Sequence, residues 1–155
     1  MTIVNYASSP TSVSEYLEEI NMINESENKD NMQVLMRVAA LGATAHQNQN
    51  RKSGGNYIRH PLAVAALIEQ EWMTLENTSV AICHDILEDV PEMLEEAARE
   101  MALTFGGAFE EVRSNWSADP NQQLKLLLAA CKSPTNLEEG LEFGETVTNG
   151  VLELT

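Results

Sequence analysis

The apolar residues of this chain recur at helical rather than strand spacing, and that periodicity constrains its fold more than any other feature. From Met32 to about His46, the residues Val34, Leu35, Val38, Ala39, Leu41 and Ala45 mark one face of a helix. Composition points the same way. Apolar residues make up 43% of the 155, yet aromatics only 5%. Most of that apolar content is Leu, Ala, Val, Ile and Met, a mixture that favours helices over a β-sandwich. The length suits a single domain with one core.

Punctuation along the chain divides it further. Residues 1–30 form a polar extension, with a short helix expected from about Ser14 and Leu17 and Ile20 behind it. The domain proper spans 31–155. Ser53-Gly54-Gly55 reads as a loop. His60-Pro61 opens the next helix, with Leu62, Ala65, Ala66 and Ile68 as its apolar positions. A single helix is expected over Glu76 to Leu87, carrying Val80, Cys83 and Leu87 along one stripe and ended or kinked by Pro91. Met93 to Leu103 is another, stopped near Gly106 and Gly107, and Gln122 to Ala130 a shorter one. Ser114 to Asn121 and Ser133 to Asn136 read as loops. Phe105-Gly106 and Phe143-Gly144 are each followed by Glu and Val, which fits either a repeated helix–FG–helix element or chance in a Glu-rich chain. No strand signal is strong, so the expected class is all-α.

Charge limits the partners. A formal net charge of −15 argues against a nucleic-acid surface, which needs clustered cations. Only nine Lys and Arg are present, yet Arg51, Lys52 and Arg59 crowd into one stretch, a candidate anion site. No apolar run approaches the ~20 residues that span a bilayer. Met1 to Ser26 lacks the basic start and apolar stretch of a signal peptide. Cys83 and Cys131 show no CxxC spacing, and Cys83 lies in an apolar run, so a buried free thiol in a reducing cytoplasm is expected.

The chemistry gathers around the histidines. His60 stands at the mouth of a helix, and His84-Asp85 lies inside one, followed by Glu88 and Asp89. Imidazole nitrogen and carboxylate oxygen suit a divalent ion such as Mn²⁺, Fe²⁺ or Zn²⁺. Neighbours on a helix point ~100° apart, so His84 and Asp85 share an ion only if it lies in the wedge between them. Glu88 and Asp89 would stack one turn further on, beside a water that the ion activates. A solvated helix terminus is the plainer alternative. Acidic residues there oppose the helix dipole, however, and a cation would compensate them. Spacing alone leaves both readings open.

A wider pattern adds to this. Ala45 to Asp89 reads AHQNQNRKSGGNYIRHPLAVAALIEQEWMTLENTSVAICHDILED. Its AH…Q…RKSG run, its YI.HPL.VA run and its HD..ED signature resemble the hydrolase domain of the RelA/SpoT family and of small stand-alone alarmone hydrolases. The resemblance implies an all-α, HD-superfamily helical bundle that binds Mn²⁺ and removes pyrophosphate from the 3′ position of (p)ppGpp. By position it implies His60, His84 and Asp85 as metal ligands. Glu88 and Asp89 would activate and orient water. Arg51, Lys52 and Ser53 would hold the guanosine polyphosphate, with Arg51 near the base and Lys52 on the phosphates. His46 belongs to the pattern and is read as packing or loop support, and Tyr57 as core.

Two departures accompany the resemblance. Asn56 replaces the Pro common before the Tyr, a mild change in loop stiffness. The family also completes its metal site with a distal Asp in a KLADR-like helix, and here no Asp follows Asp119. The last residues, NLEEGLEFGETVTNGVLELT, resemble the family's EEFG..V...V..LT segment, which precedes that helix. The expectation is therefore an insertion at about 91–134, an incomplete ligand set, and a homodimer covering the exposed apolar surface. Asp119 would substitute only if its loop folds back on the site. Two rival functions follow: a nucleotide-binding regulatory module without turnover, and a phosphohydrolase acting on another nucleotide.

Overall fold

The computed structural model describes residues 29–49, 59–68 and 72–154, and its regular elements there are helices. In chain order they are α1 (Lys29–Ala45), α2 (Arg59–Ala66), α3 (Leu75–Cys83), α4 (Ile86–Asp89), a 3₁₀ turn (Pro91–Met93), α5 (Leu94–Phe105), α6 (Ala108–Ser114), α7 (Pro120–Lys132) and α8 (Leu137–Glu153). The class is all-α, as the periodicity requires. The helix expected from Ser14 and the Ser53 to Gly55 loop lie outside the described residues.

Each helix contributes one face to a single core. Val38 and Leu41 of α1, Leu62 of α2, Ile82 of α3, Leu94 of α5, Phe109 of α6 and Leu124 and Leu127 of α7 are completely buried. Side chains of this size each contribute about 1.5–3 kcal/mol when removed from water. Both cysteines lie in this core as free thiols.

Caps set the helix starts. The Thr74 hydroxyl accepts from Asn77 N–H at 3.0 Å and opens α3. Asp119 accepts from Asn121 N–H at 3.1 Å, with Pro120 as the first helical residue. That pair starts α7 at Pro120, earlier than the expected Gln122. Asn136 caps α8 in the same way.

The two Phe-Gly pairs prove unrelated. Gly106 (φ 62°) and Gly107 (φ 52°) adopt backbone angles that side chains disfavour, and they end α5 as expected. A Cβ on Gly107 would also collide with the Pro134 carbonyl, to which Ala108 N–H donates at 2.7 Å. Gly144, in contrast, lies inside α8. A Cβ there would collide with the Lys125 carbonyl, and one on Gly140 with the Ala129 carbonyl. One face of α8 thus meets the backbone of α7 directly. Glycine inside a helix costs about 1 kcal/mol relative to alanine, and the close approach offsets it. No repeated helix–FG–helix element exists at these two places.

Among the described residues no helix is long and apolar enough to cross a membrane.

Candidate metal centre

The expected helix over Glu76 to Leu87 is two helices. α3 ends at Cys83, His84-Asp85 form a turn, and α4 resumes at Ile86. The His84 side chain supplies the reason. Its Nδ1 lies 2.6 Å from the Ala81 carbonyl, the group to which Asp85 N–H would donate in a continuous helix. A carbonyl only accepts, so Nδ1 carries the proton and donates. The Nε2 of the neutral ring then presents its lone pair, the arrangement found in metal-ligating imidazoles.

The turn lets neighbouring side chains converge. His84 Nε2 lies 3.2 Å from Asp85 Oδ2. His60, at the N-terminal end of α2, brings its own Nε2 to 3.7 Å from the same oxygen. The two imidazole rings stand edge to face with centroids 5.6 Å apart. One ligand atom from each of His60, His84 and Asp85 lies within 4.8 Å of the other two, and all three residues are partly buried.

This donor set fits a divalent cation. Atoms bound at ~2.1 Å to one ion sit about 3.0–3.4 Å apart at octahedral or tetrahedral angles, close to the 3.2 and 3.7 Å measured. A lone pair on Nε2 and a carboxylate oxygen repel at such distances unless a proton or a cation lies between them. Two imidazoles and one carboxylate suit first-row metals.

Glu88 and Asp89, expected beside the site, occupy α4 with exposed side chains. Asp89 N–H donates to the Asp85 carbonyl at 2.9 Å, so the backbone ties it one turn beyond the candidate ligand. Asp119 stands apart, its carboxylate engaged in capping α7. Glu145 is exposed and pairs loosely with Lys125 at 3.9 Å. Among the described residues, neither belongs to the cluster of potential metal ligands. Arg51, Lys52 and Ser53 lie outside the described residues, as do Asn56 and Tyr57.

His46 is fully buried just beyond the end of α1, as its reading as packing or loop support requires. Its Nδ1 lies 2.8 Å from the Gln49 side-chain oxygen. Burial holds the imidazole below its usual range. The Gln49 hydrogen bond and the charges of Asp85 and Asp89 oppose that shift, and His84 adds to it. Spacing gave no sign that His46 feels the charges of Asp85 and Asp89.

An open cleft of about 350 Å³ adjoins this region in sequence, lined by Gln47 and Asn48 and by Glu92, Glu95, Glu96 and Arg99. Arg99 is paired with Glu96 at 2.7 Å, so the lining is acidic and amide-rich rather than cationic.

Comparison with known proteins bears on this arrangement. Over 72 residues the chain is 40% identical to a guanosine-3′,5′-bis(diphosphate) 3′-pyrophosphohydrolase of Haemophilus influenzae, covering 46% of this chain and 10% of that protein. Over 84 residues it is 31% identical to the bifunctional (p)ppGpp synthase/hydrolase SpoT of Escherichia coli, covering 54% and 11%. The matched stretch is similar to proteins of the RelA/SpoT type. A GTP pyrophosphokinase of Streptomyces coelicolor is 30% identical over 95 residues, covering 57% of this chain and 11% of its own length. The RelA/SpoT-type match thus spans about a tenth of each relative. No family model matches the chain. No solved structure matches it.

Proposed function

We propose that this protein is a metal-dependent phosphohydrolase acting on the 3′ pyrophosphate of (p)ppGpp or a related nucleotide. The observation that carries the reading is the convergence of His60, His84 and Asp85 within 4.8 Å. The similarity to a 3′-pyrophosphohydrolase supports the substrate class.

In this reading His60, His84 and Asp85 hold the ion, with Mn²⁺ as the metal the resemblance indicates. When bound, such an ion supplies Lewis acidity and lowers the pKa of water. Glu88 and Asp89 accept the water's proton and orient its oxygen toward the 3′ phosphorus, and their exposure leaves them open to solvent and substrate. The new P–O bond forms as the bond to the ribose 3′ oxygen breaks, and that oxygen takes a proton. Pyrophosphate and GDP or GTP are the products. Arg51, Lys52 and Ser53 hold the nucleotide, with Arg51 and Lys52 supplying two of the nine cationic side chains of an acidic chain. The same reading treats 91–134 as an insertion.

One observation favours a second reading, a nucleotide-binding module without turnover. Among the described residues three side chains form the cluster, one fewer than the ligand set with a distal Asp that the resemblance implies. A steady-state assay with Mn²⁺ and ppGpp separates the two. Release of pyrophosphate supports the hydrolase. Binding of ppGpp without release supports the module, and neither binding nor release rejects both.

A further inference from the structure

We propose that an ion held by His60, His84 and Asp85 staples α2 to the turn between α3 and α4, and that without the ion α2 opens as a unit while the rest of the bundle stays folded. The inference rests on the metal reading above and deepens it into a metal-controlled switch, in which the site and α2 form together.

The seat of α2 is weak. The helix has eight residues, and helices shorter than ~12–15 residues are marginal in water unless packing holds them. Leu62 is completely buried, but Ala63, Ala65 and Ala66 bury only methyl groups, and Val64 and Ile68 are partly exposed. The chain leaves α2 through two hydrogen bonds of the tighter i→i−3 kind, Leu67 N–H to Val64 O at 3.1 Å and Ile68 N–H to Ala65 O at 3.3 Å. Among the described elements α2 packs chiefly against α3. In contrast, α7 buries Leu124, Leu127 and Leu128 completely and meets the backbone of α8.

The candidate ligands close the N-terminal end of this helix. His60 Nε2 lies 3.7 Å from Asp85 Oδ2, long for a hydrogen bond between the two, and the His60 and His84 rings meet edge to face at 5.6 Å. One ion bound to both imidazoles and the carboxylate would replace these loose contacts with short bonds that cross from α2 to the turn. The turn is the firm side of the pair. His84 Nδ1–H donates to the Ala81 carbonyl at 2.6 Å, while Asp89 N–H and Val90 N–H donate to the carbonyls of Asp85 and Ile86 at 2.9 Å each. The short helix is therefore the part that moves. Since the ion binds fully only when all three donors converge, its binding free energy draws α2 closed.

Amide hydrogen exchange of the 155-residue chain tests this, read by mass spectrometry on peptides covering α2 and on peptides covering α7 and α8. Mn²⁺ uptake is followed in the same samples by the EPR signal of the free ion. Without metal, α2 is expected to exchange well ahead of α7 and α8. At about 100 times its Kd, Mn²⁺ is expected to slow α2 exchange about a hundredfold, along the same curve as uptake. His60→Ala changes a partly exposed side chain, and α2 of this variant is expected to exchange fast at every Mn²⁺ concentration. Three results each overturn the inference alone: α2 as slow as α7 and α8 without metal, α2 rates unchanged by bound Mn²⁺, or protection of α2 by Mn²⁺ in His60→Ala. The wild-type comparison decides by itself should the variant not fold. A wild-type protein that takes up no Mn²⁺ overturns the metal reading and this inference with it.

Discussion

His84 Nε2 lies 3.2 Å from Asp85 Oδ2 although the two residues are consecutive in the chain. On an unbroken helix their side chains would diverge by ~100°. The His84 ring takes the Ala81 carbonyl, the helix yields at that point, and the pair is brought to a distance that a shared ion would bridge. His60 approaches the same oxygen from α2, so the candidate centre joins α2 to the turn between α3 and α4.

If that centre binds an ion, the ion stabilises the folded chain by linkage. Millimolar Mn²⁺ is expected to raise the melting temperature, since a ligand at about 100 times its Kd contributes about 2.7 kcal/mol. His84→Ala should abolish the shift. A wild-type melting curve that does not move with Mn²⁺ would sink the metal reading.

Glu88 and Asp89 are assigned to proton handling, not to holding the ion. Glu88→Gln and Asp89→Asn should therefore each lower turnover of ppGpp by about 10²- to 10⁴-fold. Mn²⁺ uptake measured by EPR should stay near wild type in both. Loss of uptake equal to that of His84→Ala would reassign these carboxylates as ligands.

Lys52 is assigned to phosphate. Lys52→Ala should weaken ppGpp binding and flatten its dependence on salt, because one charge-assisted contact is lost. Calorimetric titrations at several ionic strengths check this. Identical affinities for mutant and wild type across the series would leave Lys52 without a role in binding.

The α7–α8 contact makes a prediction about stability alone. Gly144→Ala places a Cβ against the Lys125 carbonyl, a backbone atom with little room to give. The expected cost is about 1–3 kcal/mol, read from denaturant unfolding. Alanine is otherwise the better helix former, so a variant as stable as wild type would mean that the two helices do not approach this closely.

The thiols should be silent in the native state. Burial pushes Cys83 up to about 12 and raises Cys131 well above the ordinary thiol range. Neither group has appreciable thiolate at pH 8, and neither is reachable from solvent. A thiol-specific reagent should titrate both only after denaturation. Rapid reaction of the folded protein at either cysteine would contradict their burial.

Sequence alone determined the helical class, because Val34, Val38, Leu41 and their counterparts repeat with the period of one helix face. The grouping of His60, His84 and Asp85 as candidate ligands came from the resemblance, and the sequence also determined the stop at Gly106-Gly107, where φ is positive. Those features are local: each depends on a few neighbouring residues or on intrinsic chemistry. Tertiary structure decided the rest. The break at His84-Asp85 came from a side chain competing for a backbone carbonyl, which periodicity does not register. Gly144 reads like Gly106 in the chain, yet its place against Lys125 of another helix gives it the opposite role. Asp119, considered as a distant ligand, is held as the cap of α7. His46 feels the charges of Asp85 and Asp89 because α1 packs against α3 and the Pro91–Met93 turn, which flank the segment carrying them, and contact between elements distant in sequence leaves no mark on local spacing.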